Sequence, residues 1–243
     1  MAAVVDLVRL FAGVSVLAFA SYTDWRWRRA PNFLWTILAS FGAVLLVIDL
    51  VVDRPPWSQT WPYLVAIPVF AALIYVLWWF GLIAGGADAK GLMAIGVLAP
   101  FPIDMGGLPL WPTPLPASLS VLTNSLLAFM AVPLGILLWN IAHGDWRVPH
   151  LFLGVRRRAG DIRRGHVWPM ETLAEDGTRR TRFFASRMTD AEIEATFARI
   201  QALRDARIWV SPKVPFMIPM AVGFVAAFAL GDVLVAALAA FLP

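Results

Sequence analysis

The chain has 243 residues, of which 60% are hydrophobic, and its mean hydropathy is +0.72. Soluble domains contain about 45–50% apolar residues, so this composition excludes an ordinary soluble protein and predicts an integral membrane protein. The net charge is +4, and the basic residues are concentrated in particular loops, as in chains that are oriented in a membrane. We therefore expect no nucleic-acid partner. The lack of cysteine excludes disulfides, thiol catalysis and cysteine-bound zinc.

Six apolar segments approach or exceed the roughly 20 residues that a membrane-spanning helix needs. The first starts almost at Met1 with no basic residues before it, so we expect a retained span and not a cleaved signal. The fourth is short and contains Pro100 and Pro102, which predicts a kinked or partial span. The predicted spans are about 3–23, 33–51, 62–84, 89–104, 118–142 and 214–241.

Basic residues alternate between the two sides of these spans. Arg26, Arg28 and Arg29 follow the first span, Lys90 follows the third, and fourteen Lys or Arg residues lie within 147–213. Because basic loops stay on the cytoplasmic side, this pattern predicts a multi-pass protein of the cell membrane with both termini outside. Loops 1, 3 and 5 are then cytoplasmic.

The one sizeable polar region is 143–213, between the fifth and sixth spans. The sequence Asp176-Gly177 predicts a hairpin turn within it. Thr189 and Glu192 have the spacing of a capping box, which predicts that an amphipathic helix begins there and extends toward Trp209. The apolar face of that helix contains Ile193, Phe197, Ile200 and Leu203.

These features predict an all-α polytopic membrane protein with a small cytoplasmic α+β insertion. The expected parts are a membrane domain, 1–142, the insertion, 143–213, and a sixth transmembrane helix within 214–243. The basic run 156–164 faces anionic lipid or an acidic partner. We favour a solvated face that fixes the topology over a dedicated substrate site for the insertion.

Two aspartates lie at the predicted cytoplasmic face. Asp24 ends the first span in TDWRWRRAPN, and Asp88 lies between the third and fourth spans in GGADAK. A single aspartate at a helix end is most simply explained by a side chain that extends toward water. Two aspartates on the same side of the membrane, each in an unusual local sequence, indicate a functional pair. Two close carboxylates share one proton, so one can activate water while the other protonates a carbonyl oxygen. This is the chemistry of aspartic proteases, which requires neither metal nor cofactor.

Both motifs resemble those of type IV prepilin peptidases, and the chain is similar to the archaeal preflagellin peptidase branch of the GxGD intramembrane aspartyl proteases. The resemblance implies six membrane helices, no cofactor, and Asp24 and Asp88 as the catalytic residues. It also implies the substrate, a preflagellin or prepilin-like protein whose short basic class III leader is removed at the cytoplasmic membrane face. The expected partners are therefore that substrate protein and membrane lipid. The oligomeric state is not predicted.

The glycines of the second motif have a structural role in this interpretation. Gly85 and Gly86 let the backbone bend and let a substrate chain approach. Ala87 stands where the GxGD pattern has its second glycine, and there a Cβ restricts positive φ. The neighbouring Gly86 is expected to supply that freedom instead.

Four further residues have two interpretations each. Lys90 is an anchor for lipid phosphate and topology, or a partner of the aspartates. Pro31 and Asn32 start the second span, with proline in its first turn, or support the site. Pro215, in PFMIP, opens and kinks the sixth span, or lies near the aspartates as a similar element does in related proteases.

The sequence leaves open which acid is ionised and allows two other functions. The helix dipole predicts an ionised Asp88 at a helix start and a protonated Asp24 at a helix end. Asp6, Asp49 and Asp232 are expected toward the outer face, away from the pair. A proton-coupled transporter is one alternative, although the sequence has no inverted repeat. A non-catalytic homologue in filament assembly is the other.

Overall fold

The computed structural model describes residues 2–53, 56–83, 85–162, 167–173, 178–181, 189–201 and 206–241. In chain order the helices are α1 (Ala2–Trp27), α2 (Phe33–Ile48), α3 (Trp57–Trp79), α4 (Gly86–Leu98), α5 (Ala117–Phe129), α6 (Ala131–Ala142), α7 (His150–Leu153), α8 (Asp190–Gln201), α9 (Met217–Ala229) and α10 (Val233–Ala239). The strands are β1 (Val155–Arg158), β2 (Val167–Pro169), β3 (Glu171–Leu173), β4 (Arg179–Thr181) and β5 (Arg207–Pro212).

The chain forms two compact units. The first combines the residues before Met130 with those after Val214, and the second is Met130–Val214. The sequence predicts three parts, 1–142, 143–213 and 214–243, and this division by topology stays a prediction. The compact units divide the chain differently, at Met130 and at Pro215.

Four described helical segments are long and apolar enough to cross a membrane, which makes this a membrane protein. They are Ala3–Trp27, Phe33–Val52, Trp57–Trp79 and Ala117–Ala142. These segments correspond to predicted spans 1, 2, 3 and 5. The last of them is interrupted at Met130, because Pro133 has no N–H to offer the carbonyl of Phe129.

The two remaining predicted spans differ from expectation. The sequence predicts the fourth span at 89–104, but α4 ends at Leu98, because Pro100 disfavours a helical conformation at Ala99, whose φ and ψ are −129° and 68°. It predicts the sixth span at 214–241, but this segment is divided into α9 and α10. Gly231, at φ +91°, ends the first part, and Asp232 starts the second by accepting a hydrogen bond from the Val235 N–H at 3.0 Å.

The core of the first unit lies where α1 and α5 pack on α9 and where α2 packs on α4. Gly223 of α9 lies so close to the backbone of Ser125 on α5 that a side chain there would clash. Small residues at such crossings let helices approach closely. Fully buried side chains of this core include Leu17, Ile74, Leu92, Ile95, Phe224 and Phe228.

The second unit combines α6, α7 and α8 with the strands. β5 is the central strand of an antiparallel sheet in the order β1-β5-β2, and β3 pairs with β4 as a separate hairpin. The hairpin confirms the predicted pairing, although Asp176-Gly177 lie outside the described residues. The buried core here includes Phe197 and Ile200 on α8 with Ile208 and Val210 on β5.

The predicted helix start at Thr189 is confirmed by reciprocal hydrogen bonds. The Thr189 N–H donates to Glu192 Oε2 at 2.8 Å, and the Glu192 N–H donates to Thr189 Oγ1 at 3.3 Å. The expectation that this helix extends toward Trp209 is wrong, because α8 ends at Gln201 and Trp209 lies in β5, where pairing with β1 holds the chain extended. Leu203 lies outside the described residues.

Candidate active site

Asp24 lies in the last turn of α1. The helix ends there because Arg28 adopts a left-handed conformation, with φ +55°, and donates its N–H to the Asp24 carbonyl at 2.8 Å. The half-buried carboxylate is therefore held at a helix end, and the Arg28 guanidinium attracts it. This is the end of α1 that the sequence assigns to the cytoplasmic face.

Asp88 lies in the first turn of α4, outside the four candidate spans. Gly85 caps this helix in an extended conformation, and its carbonyl accepts the Ala89 N–H at 3.1 Å. The Asp88 carboxylate folds back over Gly85, so that Oδ2 occupies the space a Cβ would need. A side chain at position 85 would therefore displace the Asp88 carboxylate.

Asp24 is close enough to Asp88 for its negative charge to affect the protonation of Asp88. Burial, and secondarily the negative charge of Asp24, raise the pKa of Asp88 to about 7. The helix N-terminus favours the charged form by about 0.3–1 kcal/mol, so at Asp88 burial outweighs the dipole. The dipole argument from the sequence predicts an ionised Asp88, and burial, which that argument leaves out, opposes ionisation below a pH of about 7.

The other motif glycine and the alanine lie inside the helix. Gly86 and Ala87 form the first turn of α4, and Ala87 packs against the apolar core. Since helical residues have negative φ, the expected positive φ at Gly86 is not needed. Alanine is the best helix former, so its presence at position 87 fits the local structure. The nearest left-handed glycine is Gly81, which follows α3.

Lys90 connects the two motifs directly. Its Nζ donates to Oδ1 of Asn32 at 3.0 Å, and both side chains are exposed. Asn32 is the residue before α2, but its side chain makes no capping bond to that helix. Pro31 precedes this cap and so lies outside the first turn where the sequence placed it. The hydrogen bond holds the start of α2 against the start of α4, beside Asp88.

The segment that begins with Pro215 lies against the same end of α1. The Ser21 hydroxyl, one turn before Asp24, donates to the Met217 carbonyl at 3.0 Å. Met220 lies beside Gly91, one turn after Asp88. The start of α9 therefore contacts both helices that carry the aspartates.

Comparison with known proteins identifies the family. Residues 11–141 match the model of the type IV leader peptidase family, and residues 147–233 match the archaeal peptidase A24 C-terminus, type II. The chain belongs to the type IV leader peptidase family. It is also 23% identical over 242 residues to a preflagellin peptidase of Methanococcus maripaludis, covering 93% of this chain and 96% of that protein. The protein is thus a membrane peptidase, and its family processes leader peptides.

A buried ion cluster at the other end of α1 escaped the sequence analysis of this leader peptidase. Arg9 forms ion pairs with Asp6, at 2.8 Å, and with Asp49. Asp6 also accepts the Asp104 N–H at 2.9 Å. An arginine three residues after an aspartate in an apolar helix is the signal that would have found the local pair. Its third member comes from the end of α2, which the sequence does not reveal.

Asp232 has a structural role as well. Besides capping α10, it accepts the Thr123 hydroxyl at 2.9 Å. Asn124 donates to the Gly231 carbonyl at 2.7 Å and accepts the Val233 N–H at 3.1 Å. These bonds satisfy the backbone where α9 gives way to α10, which is necessary inside an apolar bundle. Among the described residues, no three His, Asp or Glu side chains converge on a position suited to a metal ion.

Proposed function

We propose that this chain is an aspartic endopeptidase with Asp24 and Asp88 as its catalytic pair. The supporting observation is that two acids from separate motifs, on different helices, interact electrostatically at the ends of those helices. In this proposal the substrate is a preflagellin or type IV prepilin-like protein. The enzyme removes its short basic leader at the cytoplasmic membrane face, to which the charge distribution assigns loops 1, 3 and 5.

The raised pKa of Asp88 supports a division of roles in this proposal. With a pKa of about 7, Asp88 carries the shared proton below neutral pH. Asp24, whose carboxylate is attracted by the Arg28 guanidinium, is given the ionised role. Asp24 removes a proton from water as the water oxygen bonds to the scissile carbonyl carbon. Asp88 gives its proton to the carbonyl oxygen, which produces a neutral tetrahedral diol.

Collapse of the diol reverses both proton transfers. Asp24 donates its newly acquired proton to the amide nitrogen as the carbon–nitrogen bond breaks. Asp88 takes a proton from a diol hydroxyl, which becomes the new carboxyl group. The pair returns to its starting state without metal or cofactor, so the same two side chains serve each turnover.

The surrounding residues support this pair in the proposal. Gly85 leaves room for the Asp88 carboxylate, and Lys90 with Asn32 holds the two motif segments together. The start of α9, after Pro215, forms a wall beside α1. A leader peptide must become extended to be cut, so its backbone needs hydrogen bonds from water at the cleavage point. Both aspartates are half-buried, and water therefore reaches them.

The test is cleavage of a tagged preflagellin by membranes that contain the full-length protein. We expect Asp24→Asn and Asp88→Asn each to abolish cleavage at normal expression, because either change removes one proton carrier. Asp161→Asn, an exposed acid in the second unit, is the matched control and should cleave like wild type. Cleavage that persists in both site variants would exclude the aspartic mechanism. A wild-type protein that cleaves no leader would exclude the substrate assignment.

A further inference from the structure

A polar cleft of about 480 Å³ lies in the second unit, between the β3–β4 hairpin and helix α8. Its volume falls within the range of small-ligand sites, which is about 300–1,000 Å³. It is separate from the aspartates in the chain and has no part in the proposed cleavage. Its polar lining residues are Thr172, Arg180, Thr181, Glu192, Thr196 and Arg199.

The charge in this cleft is positive. Arg180 and Arg199 are both exposed, and neither makes an ion pair with another residue in the part of the chain that the structure describes. Glu192 is the one carboxylate lining the cleft among the described residues, and it is engaged with the Thr189 N–H and hydroxyl, at 2.8 and 3.1 Å. Two guanidinium groups therefore face a cleft whose carboxylate is already used.

Arg179, which precedes Arg180 in the hairpin, is an arginine whose partners belong to the protein itself. Arg179 lies 3.9 Å from Glu171 and donates to the Arg207 carbonyl at 3.2 Å. Arg179 is thus held by the sheet, whereas Arg180 lines the cleft.

Hydroxyl groups complete a donor set for an anion. Thr181 and the buried Thr196 line the cleft beside the two arginines, while the Thr172 hydroxyl donates to the Arg180 carbonyl at 3.5 Å. Arg147 donates to the Thr181 hydroxyl at 3.4 Å, which places a third guanidinium at the rim. Guanidinium forks together with hydroxyls match the oxygens of a phosphate group, whereas an isolated carboxylate would use fewer of these donors.

The second unit also contains the end of a membrane helix. α6 is the last part of the candidate span Ala117–Ala142, and it packs on α7 and β1 within the unit. The Arg157 guanidinium lies 5.4 Å from the ring centre of Trp139, in the last turns of α6. Tryptophan and arginine at a helix end are typical of the headgroup region, so lipid phosphates are available to this unit.

We propose that the cleft binds a phosphate group through Arg180 and Arg199, supplied either by an anionic phospholipid headgroup or by free phosphate. The test uses the purified full-length chain. Inorganic phosphate is titrated into the detergent-solubilised protein by calorimetry. In parallel, native mass spectrometry counts the phosphatidylglycerol retained from nanodiscs, with phosphatidylcholine nanodiscs for comparison.

We expect Arg180→Gln and Arg199→Gln each to weaken binding by about tenfold or more, the usual effect of losing a charge-assisted hydrogen bond. Arg158→Gln, an exposed arginine on β1 outside the cleft, removes the same charge and should bind like wild type. Arg180→Lys should lie between, because lysine keeps the charge without the fork. Saturable phosphate binding identifies free phosphate as sufficient, and retention of phosphatidylglycerol alone identifies the headgroup.

The proposal is overturned if the wild type binds neither ligand, or if Arg158→Gln weakens binding as much as the cleft variants do. Capture of a polyglutamate peptide without any phosphate binding would overturn it as well. Because none of these measurements uses leader cleavage, failure of the peptidase proposal leaves this result unaffected.

Discussion

Helix α1 carries acids near both ends, and their surroundings differ. Asp6 and Asp24 are 18 residues apart, about 27 Å along a helix. Asp6 is buried with Arg9 and Asp49 and also accepts a backbone N–H. The charge of Asp24 acts on Asp88, a second acid whose pKa is raised to about 7. The comparison shows two kinds of buried charge. The first cluster joins segments through compensated ion pairs, and the second pair, in the proposed mechanism, keeps a proton available for chemistry.

The largest expected effect on stability is at the compensated end. Arg9→Met leaves Asp6 and Asp49 buried without their cation, and loss of one partner of a buried ion pair costs about 3–5 kcal/mol. We expect a clear fall in the thermal midpoint of the detergent-solubilised protein. Arg158→Met, at an exposed position, is the control. An unchanged midpoint in the Arg9 variant would mean that the cluster does not stabilise the fold.

At the aspartate pair, the comparison predicts a pH-dependent effect. Because the folded-state pKa of Asp88 is raised to about 7, its contribution to stability is fully present below the unfolded pKa of about 3.9. That contribution is lost as the pH rises through 7. Asp88→Asn should therefore be more stable than wild type at pH 8 and similar at pH 4. Thermal unfolding at both values measures this, and equal differences at the two pH values would contradict it.

A smaller steric change at the same end should affect activity more than stability. The Cβ of Gly85→Ala would displace the Asp88 carboxylate, and a misplaced catalytic group typically loses about tenfold to 100-fold in rate. We expect kcat for leader cleavage to fall by that factor. Gly135→Ala on α6, where a Cβ has open space, is the matched control. An unaffected rate in the Gly85 variant would show that the carboxylate position does not limit catalysis.

The smallest expected effect comes from the bond between the motifs. Lys90→Met removes the hydrogen bond to Asn32, which is worth about 0.5–1.5 kcal/mol. A double-mutant cycle of thermal stability with Asn32→Ala measures the coupling. Strictly additive effects would show that the contact contributes nothing.

Local patterns in the sequence were sufficient for much of the fold. The apolar runs predicted the four long spans, and the spacing of Thr189 and Glu192 predicted the start of α8. The placement of Asp24 and Asp88 at one face followed from the arginines near them, and it remains a prediction about topology.

Features that depend on distant partners were not predictable. The sequence around Trp209 is compatible with a helix, but pairing of this segment with β1 makes it part of a strand. At the break near Gly231, Asn124 donates to the Gly231 carbonyl and the Trp111 N–H donates to the Leu230 carbonyl. Neither donor is nearby in sequence. The burial that raises the pKa of Asp88 likewise comes from packing, which the helix-dipole argument ignores.

The position of α9 in the chain has a consequence for biosynthesis. With 13 residues, α9 is about 20 Å long, too short to cross the roughly 30 Å core of a bilayer alone. It packs on α1 and α5, which the ribosome releases much earlier, and it carries the carbonyl that Ser21 contacts beside Asp24. The nascent peptidase therefore lacks one wall of its candidate active site until α9 has been synthesised and has packed on α1.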